Sequence, residues 1–131
     1  MVLRGQLDLA VPARDRSWDG TIGDARHSAI ASDHNPDERG KVCAMDITND
    51  PPHELHVALI AEAIRKSQDD RVKYMIFNHF MLRSYDKPGI PKWTWAPYTN
   101  ASLPHDHHLH ISVLAEKSED SRDWKISQKI Y

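Results

Sequence analysis

Apolar and polar positions alternate most cleanly near the end of the chain, where Leu109, Ile111 and Val113 interleave with His108, His110 and Ser112. A period of two predicts a strand over 108–114 with an aliphatic face and a polar face. Val42 to Thr48 reads the same way, with Val42, Ala44 and Asp46 on one side and Cys43, Met45 and Ile47 on the other. Lys73 to Phe77 predicts a buried strand, and Phe80 to Ser84 returns beside it as a hairpin. The segment from Lys92 through Trp93, Thr94, Trp95 and Ala96 is a short strand or an aromatic lining. A helical period runs from about Pro52 to Gln68, where Leu55, Leu59 and Ala63, joined by Ala58 and Ile60, form a wide apolar stripe. Asn49 or Asp50 caps it, Pro51 and Pro52 suit its first turn, and Glu54, Arg65 and Lys66 complement its dipole. Residues 1–30 are mixed and polar, 32–40 read as a loop, and the charged tail after Ala115 is a last turn or an edge strand. Short strands around one long helix predict an α+β fold with a small, largely antiparallel sheet and helices on one side.

Length and composition narrow what such a fold can do. The 131 residues suit one domain, spanning 1–131, with no internal repeat. Lys plus Arg total 17 and Asp plus Glu 19, a net charge of −2 that argues against nucleic acid or anionic membrane as a bulk-charge partner. The longest apolar runs are five residues, too short to insert into a bilayer. No secretory signal is visible at the start, so cytoplasmic synthesis is expected. Cys43 is the only cysteine, which excludes an internal disulfide and a Cys-rich zinc module.

Histidine is the unusual residue: of nine, four lie between His105 and His110. A solvated His-rich loop is the plain reading. Two imidazoles and a serine on one face of a strand instead mark a polar concavity or a metal site. Asp46, inside an otherwise apolar strand, needs a charged or hydrogen-bonding partner, or serves to cap the next turn. With His34 in the preceding loop, Asp46 and His110 make two imidazoles and a carboxylate, a ligand set for catalytic zinc that leaves a fourth position open.

Five segments carry a resemblance: Gly20-Thr-Ile-Gly-Asp-Ala-Arg-His, Ser32-Asp-His-Asn-Pro, Gly40-Lys-Val-Cys-Ala-Met-Asp-Ile-Thr, Arg71-Val-Lys-Tyr-Met-Ile-Phe-Asn and His105-Asp-His-His-Leu-His-Ile-Ser-Val. In this order, over about 20–113, they resemble the peptidase domain of actinobacteriophage (mycobacteriophage-type) endolysins. That domain is similar to the M15 D-Ala-D-Ala carboxypeptidase and LAS murein peptidase group, with the hedgehog/DD-peptidase fold. The resemblance implies Zn2+ held by His34, Asp46 and His110, the residues that the ligand chemistry also selects. It departs from the family in the twelve positions separating His34 from Asp46, and in His107 standing where carboxypeptidase-like members carry a general-base Glu. The His-x-x-His-x-His of the endopeptidase branch is matched by His105, His108 and His110. His105 and His108 thereby become the catalytic candidates for base, acid and oxyanion support.

Weaker candidates surround this set. Arg26 binds a stem-peptide carboxylate or stabilises the oxyanion, or else forms a surface salt bridge. Ser32 and Asp33 orient His34 or substrate, or cap the loop. Trp93, Trp95 and Tyr98 line a peptide groove or pack in the core, and His27, His53, His56 and His79 receive no chemistry. The expected function is a zinc metallopeptidase that hydrolyses a peptide bond in bacterial peptidoglycan, released from the host cytoplasm to act on the wall. The alternative is a non-catalytic, zinc-stabilised module on the same fold that binds cell wall or a protein.

Overall fold

The alternation read along the chain becomes a sheet with two differently equipped faces. The structure, a computed structural model, describes residues 2–17, 19, 43–98, 107–114, 117 and 122–126. Strands β1 (Ala44–Thr48), β2 (Val72–Phe77), β3 (Phe80–Arg83), β4 (Trp95–Pro97) and β5 (His108–Val113) form one sheet in the order β1-β5-β2-β3-β4. Every described pairing between them is antiparallel, so the chain has the expected α+β class and antiparallel sheet. The C-terminal strand thus lies between β1 and β2.

One face of the sheet is the core. Met45, Ile47, Met75, Leu82, Leu109 and Ile111 are fully buried there, each contributing about 1.5–3 kcal/mol of burial free energy. Two helices complete this layer: α1 (Val2–Ala10) and α2 (Val57–Ser67). From α2, Val57, Ile60, Ala61 and Ile64 join the cluster, a spacing that lays one stripe on the sheet.

The helix differs from its expected form. Pro51–His53 make a 3-10 turn that ends at Glu54, whose φ of 62° is left-handed, and Leu55 then pairs back onto Asp50. Leu55 is therefore buried ahead of the helix rather than on it, α2 starts at Val57, and Leu59 is 48% exposed. Glu54 consequently lies outside the first turn of α2, whereas Arg65 and Lys66 do occupy its last turn. The side chain of Asn49 still caps the element, its Oδ1 accepting the N–H of Val57 at 3.1 Å.

A second departure is α1, which falls in a stretch read as mixed and polar. Among the described side chains of this helix Leu3 and Leu7 are in the core, while Leu9 is 86% exposed, so the apolar stripe is narrow. A nine-residue helix is marginal by itself. Here Gln6 anchors it to the tail, donating from Nε2 to the Trp124 carbonyl at 3.0 Å and accepting the Trp124 N–H at 2.9 Å. Trp124 is itself core, with the Arg71 guanidinium 4.1 Å above its ring. Of the described tail residues, Lys117 closes a 3-10 turn, its N–H donating to the Leu114 carbonyl at 2.9 Å, while Trp124 fastens α1.

Two local features of β2 matter for the site. Asn78 and His79, at φ of 49° and 69°, make the two-residue turn into β3, and paired positive φ values match the sheet's twist. At the other end, Val72 faces Val113 while Tyr74 faces Ser112, so β2 carries a bulge at Lys73. Val72 is thereby kept in the core while Tyr74 turns to the opposite face.

Candidate functional site

That opposite face is polar where β1 and β5 meet. Antiparallel register sets Ala44, Asp46 and Thr48 opposite Ser112, His110 and His108. Because each partner pair shares a face, the alternation that buries Met45 and Ile47 also brings a carboxylate against two imidazoles. Little water reaches the group: Asp46 is 8% exposed, His110 4% and Ser112 fully buried. A carboxylate so placed requires polar partners.

His110 Nδ1 lies 3.2 Å from Asp46 Oδ1, and its Nε2 lies 2.8 Å from Ser112 Oγ. The ring of Tyr74, supplied by the bulge, stacks on the imidazole with centroids 5.4 Å apart and planes 15° from parallel. Both ring nitrogens and one ring face of His110 are thus engaged. With Nδ1–H donating to Asp46, Nε2 accepts the Ser112 hydroxyl; in the other tautomer Nε2–H donates to Ser112 and a lone pair on Nδ1 faces the carboxylate. The less buried His108 places Nε2 3.6 Å from Asp46 Oδ2, within ion-pair range but beyond a direct hydrogen bond.

The edge of this group is held by a charged network. Asp19 Oδ1 accepts the Thr48 N–H at 2.8 Å and the Thr48 hydroxyl at 2.7 Å, while Asp19 Oδ2 takes the buried Arg14 guanidinium at 2.8 Å. Arg14 also meets Asp8, which Arg16 contacts as well. Burial raises the Asp8 carboxyl, but the charges and hydrogen bonds of the two arginines outweigh it and leave the group below the ordinary carboxylate range.

The donor set suits a transition-metal cation. Two ligands of one tetrahedral zinc, each at 2.0–2.1 Å, lie about 3.3 Å apart, and the Asp46 and His110 donors are 3.2 Å apart. A hydrogen bond from the other nitrogen of a ligating imidazole fixes its tautomer, and Ser112 Oγ is placed to receive one. Among the described residues no group of three or more His, Cys, Asp or Glu side chains forms a metal cage. The expected third ligand, His34, lies outside the described residues, as do Arg26, Ser32, Asp33 and His105.

Other candidates fall elsewhere. Trp93 and Trp95 pack against the core cluster, and Trp95 Nε1 donates to Glu62 Oε1 at 2.9 Å, tying β4 to α2. His107 is exposed. His53, assigned no chemistry from sequence, donates its Nδ1–H to the buried Asp50 carboxylate, 2.7 Å away. Tyr74 was missed because a bulge, invisible in the alternation, decides its face. No family model matches the chain, and no curated protein or solved structure is detectably similar to it.

Proposed function

We propose that this chain is a zinc-dependent peptidase that hydrolyses a peptide bond in bacterial peptidoglycan, on a hedgehog/DD-peptidase fold, as the lytic domain of a phage endolysin. The observation that carries this reading is the buried Asp46–His110 pair across β1 and β5, its donors 3.2 Å apart, with His108 on the same face. Asp46 and His110, with His34, are the residues to hold zinc. When bound, zinc supplies a Lewis acid that polarises the scissile carbonyl and acidifies water.

The chain's own groups do the rest. Ser112 and Tyr74 hold the His110 ring in one orientation. His108, less buried than His110, takes a proton from the attacking water at Nε2 and returns it to the leaving amine. His105 is the second candidate for that exchange, and Arg26 and Ser32 for substrate contact. The domain acts on the wall once it has left the cytoplasm of the infected host.

Purified peptidoglycan incubated with the zinc-loaded protein tests this directly. New amine termini identified by mass spectrometry, absent with a chelator and restored by added zinc, are the expected result. Wall binding without any new termini from pH 5 to 9 would replace the peptidase by a binding module.

A further inference from the structure

The arginines of the described region are almost all neutralised. Arg14 pairs with Asp8 and Asp19, Arg16 with Asp8, Arg65 with Glu62, Arg71 with Asp69 and Arg122 with Asp70. Arg83 differs. Its Nε is buried with no hydrogen-bond partner, and its guanidinium has no carboxylate partner among the described residues. Among the described residues, a partly buried arginine without a carboxylate leaves a charge and the four N–H donors of its terminal nitrogens to be satisfied.

The register says where that charge sits. Arg83 on β3 lies opposite Tyr74 on β2, and Tyr74 lies opposite Ser112 on β5. Arg83 therefore belongs to the face that carries Asp46, His108 and His110, not to the core face. Two strand spacings of about 4.8 Å and one two-residue step of about 6.7 Å put its Cα roughly 12 Å from that of His110. An extended peptide covers this span in about three or four residues.

We infer that Arg83 is a specificity-determining residue that binds a carboxylate of an extended peptide substrate, within about four residues of the bond cleaved at the Asp46–His110 site. This rests on the peptidase reading above. A planar guanidinium grips a carboxylate through two parallel hydrogen bonds, and partial burial strengthens that pair by excluding water. Peptidoglycan stem peptides offer such groups, and amidation of their carboxylates removes the charge while keeping the shape.

The test compares soluble muropeptides with free carboxylates against the same fragments fully amidated. The zinc-loaded protein is used as wild type, Arg83→Gln and Arg83→Lys, with matched thermal melting as the folding control. Wild type should prefer the free form by roughly 10–100-fold in kcat/KM, the scale of one charge-assisted pair. Arg83→Gln should lose this preference through KM while handling amidated fragments as wild type does, and Arg83→Lys should keep part of it. In parallel, the Arg83 Nε–H resonance of the wild-type protein should shift on titration with the free fragments and stay still with the amidated ones. An unchanged preference in Arg83→Gln, or an unmoved resonance, overturns the inference. Failure of wild type to cut either fragment overturns the peptidase reading instead, and the resonance still decides the role of Arg83.

Discussion

At the scale of single residues, the polar face of β1 and β5 assigns unlike duties to side chains that look alike. His110 is enclosed by Asp46, Ser112 and Tyr74, whereas the less buried His108 meets Asp46 at ion-pair distance. His110→Ala should therefore abolish both zinc uptake and lysis, whereas His108→Ala should retain zinc and lose activity by roughly 10²–10⁴-fold. Elemental analysis beside turbidity loss separates the two, and metal release by His108→Ala would exchange the assignments. Ser112→Ala leaves one imidazole nitrogen unsupported and should weaken zinc binding by roughly 10–100-fold. Competition with a chromophoric chelator measures this; Ser112→Thr, which keeps the hydroxyl, should recover most of the affinity. That Asp46 faces away from Met45 and Ile47, and His110 from Leu109 and Ile111, was legible in the sequence, because period-two alternation fixes the faces within each strand. The direct opposition of Asp46 and His110 was not, since alternation is silent about which strands are neighbours.

At the scale of elements, long-range contacts decide what local patterns leave open. The run from Pro52 to Gln68 has a helical period, yet Glu54 in the left-handed region and the Asp50–Leu55 pairing delay the helix to Val57. The stripe that packs is consequently Val57, Ile60, Ala61 and Ile64, displaced from the one containing Leu59 and Ala63. Asn49 is the residue that joins these elements, and Asn49→Ala should cost about 0.5–2 kcal/mol, readable as a shift of the urea midpoint at constant slope. The first helix was illegible for a different reason. Two leucines and a glutamine bound to the backbone of Trp124 hold it, and that partner is 118 residues away.

For the whole molecule, three solvent-screened carboxylates tied to arginines lend the fold a small share of its resistance to acid. Asp8 is held low despite burial, Glu62 by its hydrogen bond from Arg65, against burial and aided by Trp95, and Asp70 by its hydrogen bond from Arg122. A carboxyl with a lowered folded-state pKa adds stability above its ordinary value, and that contribution disappears as pH falls through the folded value. Their ordinary values are 3.8, 4.5 and 3.8, so these contributions are present at neutrality and are withdrawn as the pH drops below about 4. Thermal melting across pH 2 to 7 should show this acid limb, and Asp8→Asn should flatten it while lowering stability at neutral pH. An Asp8→Asn profile parallel to wild type would remove Asp8 from the account. The links involved also join distant parts: Arg14 and Asp19 connect the end of α1 to β1, and Glu62 joins α2 to β4.

The bulge at Lys73 has one consequence of its own. It is one residue more than β5 requires: Val72 and Tyr74 face the adjacent positions Val113 and Ser112, so the frame of inside and outside is set by those pairings and not by Lys73. Replacing Lys73 with another residue leaves that frame intact. Deleting it would make Val72 and Tyr74 neighbours, which ordinary alternation still sends to opposite faces, so the core valine and the ring stacked on His110 both keep their sides. What the extra residue supplies is local bend and twist in β2, not the choice of side.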